Sequence, residues 1–217
     1  VNFYDAIDRL ILHFTGPEYS GEVDAAKREF LGEAGILEMG SQGIHQRMEQ
    51  FSEWYVLSRP LLIPEANAAT PAEYALEIEE FQMTAEEAPR FEELAISKHG
   101  LFEFLQSRGS DVHIKDLFLD QEVVIADSAI QAGFNRHEIF EARLIFSGER
   151  AFFGRSFCFH PADASPYIQA EIKRVARLGI QEREAMLLKL FKMRYKFEHY
   201  RHLKWDYIYT DEKRVRF

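Results

Sequence analysis

Apolar residues recur at the helical period through the first third of the chain. Phe3, Ile7, Leu10, Ile11 and Phe14 form one stripe, which predicts a helix over Asn2–Phe14 that Gly16–Pro17 ends. Ser20 is a candidate N-cap for a second helix, with Val23, Ala26, Phe30 and Leu31 facing inward and Gly32 and Gly35 interrupting it. After Gly40–Ser41 a third helix is expected from Gln42 to Leu57, marked by Ile44, Met48, Phe51, Trp54 and Tyr55 and stopped at Ser58–Arg59–Pro60. Residues 61–70 read as a connector. Thr70–Pro71–Ala72–Glu73 then combines a cap, a first-turn proline and a capping-box glutamate, and Tyr74, Leu76, Ile78 and Phe81 continue that segment. Thr84–Glu87 repeats the start signal ahead of Phe91, Leu94 and Ala95.

From Gly100 to His160 the period changes from 3.6 to 2. Leu101–Leu105 precedes the breaker run 107–110, and Val112 and Ile114 alternate with His113 and Lys115. Gln121–Ala126 is rich in β-branched residues, which pack well on a pleated surface. Ala142–Phe146 and Ala151–Phe159 flank Ser147–Gly148–Glu149–Arg150, a hairpin signal because Gly148 can take a positive φ. Gly154 interrupts the last strand, marking a bulge or a close backbone approach. Ile145 between Leu144 and Phe146 makes both faces apolar, so a flanking helix is expected to cover the second face.

Beyond Pro161, Asp163 or Ser165 is a candidate cap and Pro166 suits a first helical turn. Tyr167, Ile168, Ile172, Val175, Ala176 and Leu178 give that helix its apolar face until Gly179. Gln181 to about Leu203 is the longest helix candidate, with Met186, Leu187, Leu190, Phe191, Phe197 and Tyr200 as its stripe. Trp205, Tyr207, Ile208 and Tyr209 suggest an edge strand or a docking aromatic tail. The expected fold is α+β: a small antiparallel curled sheet or open barrel flanked by N-terminal and C-terminal helices. A helical region (1–99), a β unit (100–160) and C-terminal helices with a basic aromatic tail (161–217) are expected to pack as one compact unit.

Composition narrows the class. With 217 residues and 47% apolar content the chain can bury a substantial core, and 19 phenylalanines point to a Phe-rich one. The net charge of −10 disfavours loose contact with nucleic acid or anionic lipid. Charge is uneven: the middle, from Glu65 to Glu103, is acidic and the end, from Gln181, is basic, so the tail lies either against its own acidic helices or against a partner. Cys158 is the one cysteine, which excludes an internal disulfide and a cysteine-rich zinc site and suggests the cytoplasm. No secretory leader is visible, and no apolar run is long enough to span a bilayer.

Phe51–Leu62 reads FSEWYVLSRPLL, and several dozen residues later come Gly100–Phe104, Val112, Ile114, Asp116–Leu117 and Ala142–Leu144. Residues 45–155 thereby resemble a group of uncharacterised bacterial proteins with an aromatic-rich helix end, carried here by Phe51, Glu53, Trp54, Arg59, Pro60 and Leu61, followed by a small β unit. The chain departs from that pattern in lacking the cysteine-rich zinc motif of some members, and in having Phe134–Asn135–Arg136 after Gly133 where an acidic turn residue is expected. The resemblance implies that the two stretches pack as one unit; it implies no activity.

Candidate chemistry is sparse. Cys158 and His160 stand two apart, so a regular strand points them to one face, about 6–7 Å apart by the strand rise. His99 stands alone, His137–Glu138 lies near Glu141, and His199 and His202 could share a helical face without a third ligand. Glu53, close to Trp54 and Arg59, suggests a partly buried Glu–Arg pair. P-loop, dinucleotide, zincin and nucleophile-elbow motifs are absent from the sequence. No cofactor is expected. The expected role is non-enzymatic: a protein–protein interaction or adaptor protein, with homo-oligomerisation left open. Partner contacts are expected at Arg143, Phe153 and Arg155 of the β unit and at Lys204, Trp205, Tyr207, Tyr209 and Arg214 of the tail. The alternatives are an enzyme with dispersed active-site residues and a weak single-stranded nucleic-acid binder using the arginines and phenylalanines of the β unit.

Overall fold

The structure, a computed structural model, describes residues 2–32, 44–130 and 133–211. The chain divides into two compact units, Val1–Lys98 with Arg143–Ser156, and His99–Ala142 with Phe157–Phe217.

The first unit is mainly helical. Helix α1 (Phe3–Phe14) is capped by Asn2, whose side chain accepts the Asp5 amide at 2.8 Å, and it buries Ala6, Ile7, Leu10 and Phe14. Helix α2 (Ser20–Leu31) follows a 3₁₀ turn at Pro17–Tyr19, which already places Ser20 in helical backbone, so Ser20 is the first helical residue and makes no side-chain cap. Its inward face is Glu22, Ala26 and Phe30, with Val23 and Leu31 half-buried. Helix α3 (Ile44–Leu57) buries Phe51 and the whole run Glu53–Leu57. Phe30 packs on Phe51 and Trp54 at ring-centroid separations of 5.6 and 5.0 Å, and the Tyr55 hydroxyl donates to the Phe14 carbonyl at 2.9 Å. Gly35, Gly40, Ser41 and Gln42 of the expected boundaries lie outside the described residues.

Helix α4 (Pro71–Ala75) has the expected capping box between Thr70 and Glu73, but spans five residues and does not reach Phe81. Leu76 is 37% exposed, so a longer helix has no apolar burial there to offset its ordering. Helix α5 (Ala88–Ala95) begins four residues after Thr84, because Glu87 accepts both the Thr84 amide and its hydroxyl and closes a separate turn first.

The strands are β1 (Lys98–Arg108), β2 (Asp111–Asp116), β3 (Gln121–Ile125), β4 (Ile139–Ser147) and β5 (Arg150–Phe159). They form one sheet in the order β3-β2-β1-β4-β5, open rather than closed into a barrel. β1 pairs antiparallel with β2, with a register shift between Phe104 and Gln106, and β2 pairs antiparallel with β3. The β4–β5 turn uses Gly148 at φ +58°, as the sequence requires.

Alternation along the strands gives the second unit two interiors. Leu101 and Ile139 join Ile168, Ile172, Leu187 and Leu190 of helices α6 (Ser165–Val175) and α7 (Ile180–His199) in one core. Phe102, Phe140, Phe157 and Phe159 gather on the other parity, where Phe134 packs against Phe104, Phe140, Phe157 and Phe159 at 5.1–6.0 Å. A residue of the β3–β4 connection therefore joins that Phe cluster, where sequence suggested a helix.

Neither Asp163 nor Ser165 caps α6; a 3₁₀ turn at Ala162–Ala164 runs straight into it. Ala176 and Leu178 lie past its end and are exposed. α7 stops at His199, short of Leu203. The aromatic tail docks instead of forming a strand: Trp205–Tyr207 is a 3₁₀ turn, and Ile208 and Tyr209 are buried in the α6–α7 core.

Candidate functional site

On the α6–α7 face of the second unit, the strands bring a buried polar group together. Glu141 shares the parity of Ile139 on β4, and Cys158 near the end of β5 shares parity with His160 just past it, whose amide still donates to the Ile139 carbonyl. One ligand-capable atom from each of these three lies within 4.8 Å of the other two. Glu141, Cys158 and His160 are 3%, 5% and 2% exposed. His160 Nε2 lies 3.0 Å from Glu141 Oε1, and His160 Nδ1 lies 3.0 Å from the Tyr209 hydroxyl. His99, at the start of β1, places Nε2 3.6 Å from Glu141 Oε2 and Nδ1 3.2 Å from Glu184 Oε2 on α7.

Proton counting fixes the roles. An ionised Glu141 only accepts, so His160 Nε2 donates to it, while Nδ1 and the Tyr209 hydroxyl form the second hydrogen bond of the ring. His99 faces a carboxylate at each ring nitrogen. Burial pushes the Glu141 carboxyl up, but the hydrogen bonds from His160 and His99 outweigh it and hold the group below its ordinary range. Burial, reinforced by the Glu141 charge, pushes the Cys158 thiol well up. Burial likewise raises the Tyr209 phenol.

A nucleophilic cysteine needs the opposite, a stabilised thiolate open to substrate. The arrangement is instead a hydrogen-bonded chain of donors and acceptors with sulfur, nitrogen and oxygen ligands at its centre. Sequence spacing identified the Cys158–His160 pair. It left His99 alone, set Glu141 beside His137–Glu138 and assigned Tyr209 to a partner surface, because their convergence depends on strand order and on where the tail docks.

In the first unit Glu53 is 2% exposed and is held by β5. Its carboxylate accepts the Arg155 amide at 2.9 Å and the Ser156 hydroxyl at 2.8 Å, with Arg143 Nε 3.7 Å away. The expected Glu53–Arg59 pair does not form. Arg59 is bound by Glu22 and Glu29, at 2.9 and 2.8 Å. Gly154 does mark a close approach, and the approaching group is the Glu53 side chain: a Cβ there would stand 2.7 Å from Oε1.

Beside Glu53 a cleft of about 250 Å³ opens between α1 and α3. Ile7, Ile11 and Met48 supply its apolar lining, and Asp8, His45, Glu49 and Arg155 its polar groups. The Arg155 guanidinium is held over the Tyr4 ring, donating to Asp8 at 2.8 Å and to the Tyr4 carbonyl at 2.7 Å.

The other sequence-selected residues are dispersed. Arg143 and Phe153 are 2% and 5% exposed, and Arg143 is anchored by Ser58 and Ser97, so both belong to the interior of the first unit rather than to a contact surface. Tyr209 is buried in the second unit for the reason given above. Lys204 and Tyr207 are exposed and Trp205 is half-buried; Arg214 lies outside the described residues. His199 and His202 do not share a helical face, because the helix ends at His199. No helix among the described residues is long and apolar enough to cross a membrane. No family model, curated protein or solved structure matches the chain.

Proposed function

We propose that the chain is a non-enzymatic interaction protein that receives a short segment of another protein in the cleft between α1 and α3. The observation that carries this reading is the cleft itself: accessible apolar surface from Ile11 and Met48 over a buried Ile7, with charged groups around it. Apolar pockets with a few polar groups are how proteins seat an anchoring side chain and fix its orientation. Met48 is 36% exposed, which leaves its flexible thioether available to adapt to an incoming side chain. Asp8 and Arg155 pair with each other and Glu53 is buried and held by β5, so the acidic character of the cleft rests on Glu49. The segment that suits this cleft carries an apolar anchor next to a Lys or Arg. The single cysteine, a free thiol, favours a reducing compartment such as the cytoplasm.

Two observations favour this reading over the alternatives. The one cysteine–histidine pair is buried and its thiol is raised, which suits neither nucleophilic nor thiolate catalysis. Of the arginines and phenylalanines a single-strand stacking platform would use, Arg143 and Phe153 are buried and out of reach of a base. The test is a random peptide display library panned on the full chain and counter-selected on Met48→Arg. Enriched peptides should share an apolar anchor beside a basic residue and should lose at least tenfold in affinity on Met48→Arg. Enrichment that ignores Met48→Arg, or no enrichment at all, overturns the proposal.

A further inference from the structure

We propose that Glu141, Cys158 and His160, with His99 as fourth ligand, form a binding site for a thiophilic divalent transition metal, of which Zn²⁺ is the type. The donors come from neighbouring strands: His99 from β1, Glu141 from β4, Cys158 from β5, and His160 from the position just past the end of β5. The three buried donors already lie within 4.8 Å of one another. Zinc holds sulfur at about 2.3 Å and nitrogen or oxygen at about 2.0–2.2 Å, so the side chains must draw together around the ion by up to about an ångström.

The surroundings make this more than a chance cluster. Metal-binding histidines characteristically have the far ring nitrogen fixed by a second group. Both histidines here have that arrangement. His160 Nδ1 is held by the Tyr209 hydroxyl at 3.0 Å and His99 Nδ1 by Glu184 at 3.2 Å, and in both rings Nε2 is the nitrogen turned toward Glu141. The charges also match. One thiolate and one carboxylate neutralise a divalent ion in a site where residual charge is costly. A thiolate and imidazoles select zinc-like ions over Mg²⁺ or Ca²⁺, which prefer all-oxygen sites.

Binding balances simply. The Cys158 S–H bond breaks, its proton goes to solvent, and a sulfur–metal bond forms. His160 binds through Nε2, whose proton passes to Nδ1 or, where Nδ1 already holds one, to solvent; the Tyr209 hydroxyl then accepts from Nδ1, as a hydroxyl can. His99 keeps a proton on Nδ1 for Glu184, gives any second proton to solvent, and binds through Nε2. This site is independent of the α1–α3 cleft, and neither proposal relies on the other.

The test is titration of the full-length apo chain, stripped with a chelator, with Co²⁺ as a spectroscopic probe and Zn²⁺ in competition. The expected result is one equivalent bound, a thiolate-to-cobalt charge-transfer band, and loss of that band when Zn²⁺ is added. Cys158→Ser should abolish the band. Tyr209→Phe, which removes only the outer hydrogen bond, should weaken Zn²⁺ binding by about 10- to 100-fold with the band retained. Wild-type protein that takes up no cobalt, or takes it up without a sulfur band, overturns the proposal and leaves a hydrogen-bonded cluster only. The band is read on the wild-type chain, so the test stands even if a variant fails to fold.

Discussion

Gly154→Ala should destabilise the first unit through Glu53. The backbone at Gly154 does not require glycine, since its φ is not positive. Space decides instead: a Cβ would meet Glu53 Oε1 at 2.7 Å, Oε2 at 2.9 Å and Arg143 Cβ at 3.1 Å. A carboxylate at the end of a flexible side chain can usually swing aside at little cost. Glu53 is buried and pinned by the Arg155 amide and the Ser156 hydroxyl, so swinging aside breaks both bonds. Hydrogen bonds to charged groups contribute about 1.5–3 kcal/mol each. The lost conformational freedom of the unfolded chain returns about 0.4–1 kcal/mol on replacing Gly by Ala. The net expectation is a loss of roughly 2–5.5 kcal/mol, or roughly 4–22 °C in Tm for a chain of this size. Urea unfolding of wild type, Gly154→Ala, Glu53→Ala and the double variant measures it. With Glu53 truncated both oxygen contacts are gone and only the Arg143 Cβ contact at 3.1 Å remains, so Gly154→Ala should cost much less than in wild type. An equal cost in both backgrounds, within about 0.5 kcal/mol, refutes the reasoning.

Three further outcomes are expected. Thr70→Ala removes the capping box of α4 and should lower stability by about 1 kcal/mol in denaturant melts, with Thr70→Ser retaining most of it. The Glu141 carboxyl is held below its ordinary value of 4.5 when folded, so the stability it contributes is full above about pH 4.5 and disappears as pH falls through the lower folded value. In chelator-treated samples the stability gap between wild type and Glu141→Gln should therefore narrow as pH falls below about 4.5; a gap that widens in acid contradicts the assignment. The buried Cys158 thiol should react with an aromatic disulfide reagent only slowly in native protein at pH 8, and fully once denaturant is added; a fast native reaction would mean an open, activated thiol.

Local rules were enough for much of this fold. The stripe Phe3–Phe14, the capping box at Thr70, the hairpin glycine at 148 and the two-residue period of the β unit each depend on neighbours in sequence, and each appears where those neighbours place it. The misread positions share a different feature. Ser20 and Ser165 look like caps, but 3₁₀ turns upstream had already set helical backbone at both, a backbone state that residue type alone does not reveal. Arg59 stands near Glu53 in sequence, yet its carboxylates come from α2, and Glu53 meets the distant residues Arg155 and Ser156. The polar centre was half legible: Cys158 and His160 follow from strand parity, whereas Glu141 and His99 need β1 beside β4 beside β5. Tyr209 joins them because Trp205–Tyr207 forms a turn instead of adding a strand, a choice the alternating aromatic pattern left open.

The reading of this chain as an interaction protein is tested most directly by replacing Met48 with a photo-cross-linking amino acid in cells that express the full chain, with the same replacement at Ile180, 75% exposed in the other unit, as control. The account predicts a discrete adduct from position 48 that is absent from position 180 and is lost when Ile11 is changed to Arg. No adduct at position 48, or the same adducts from both positions, would contradict it.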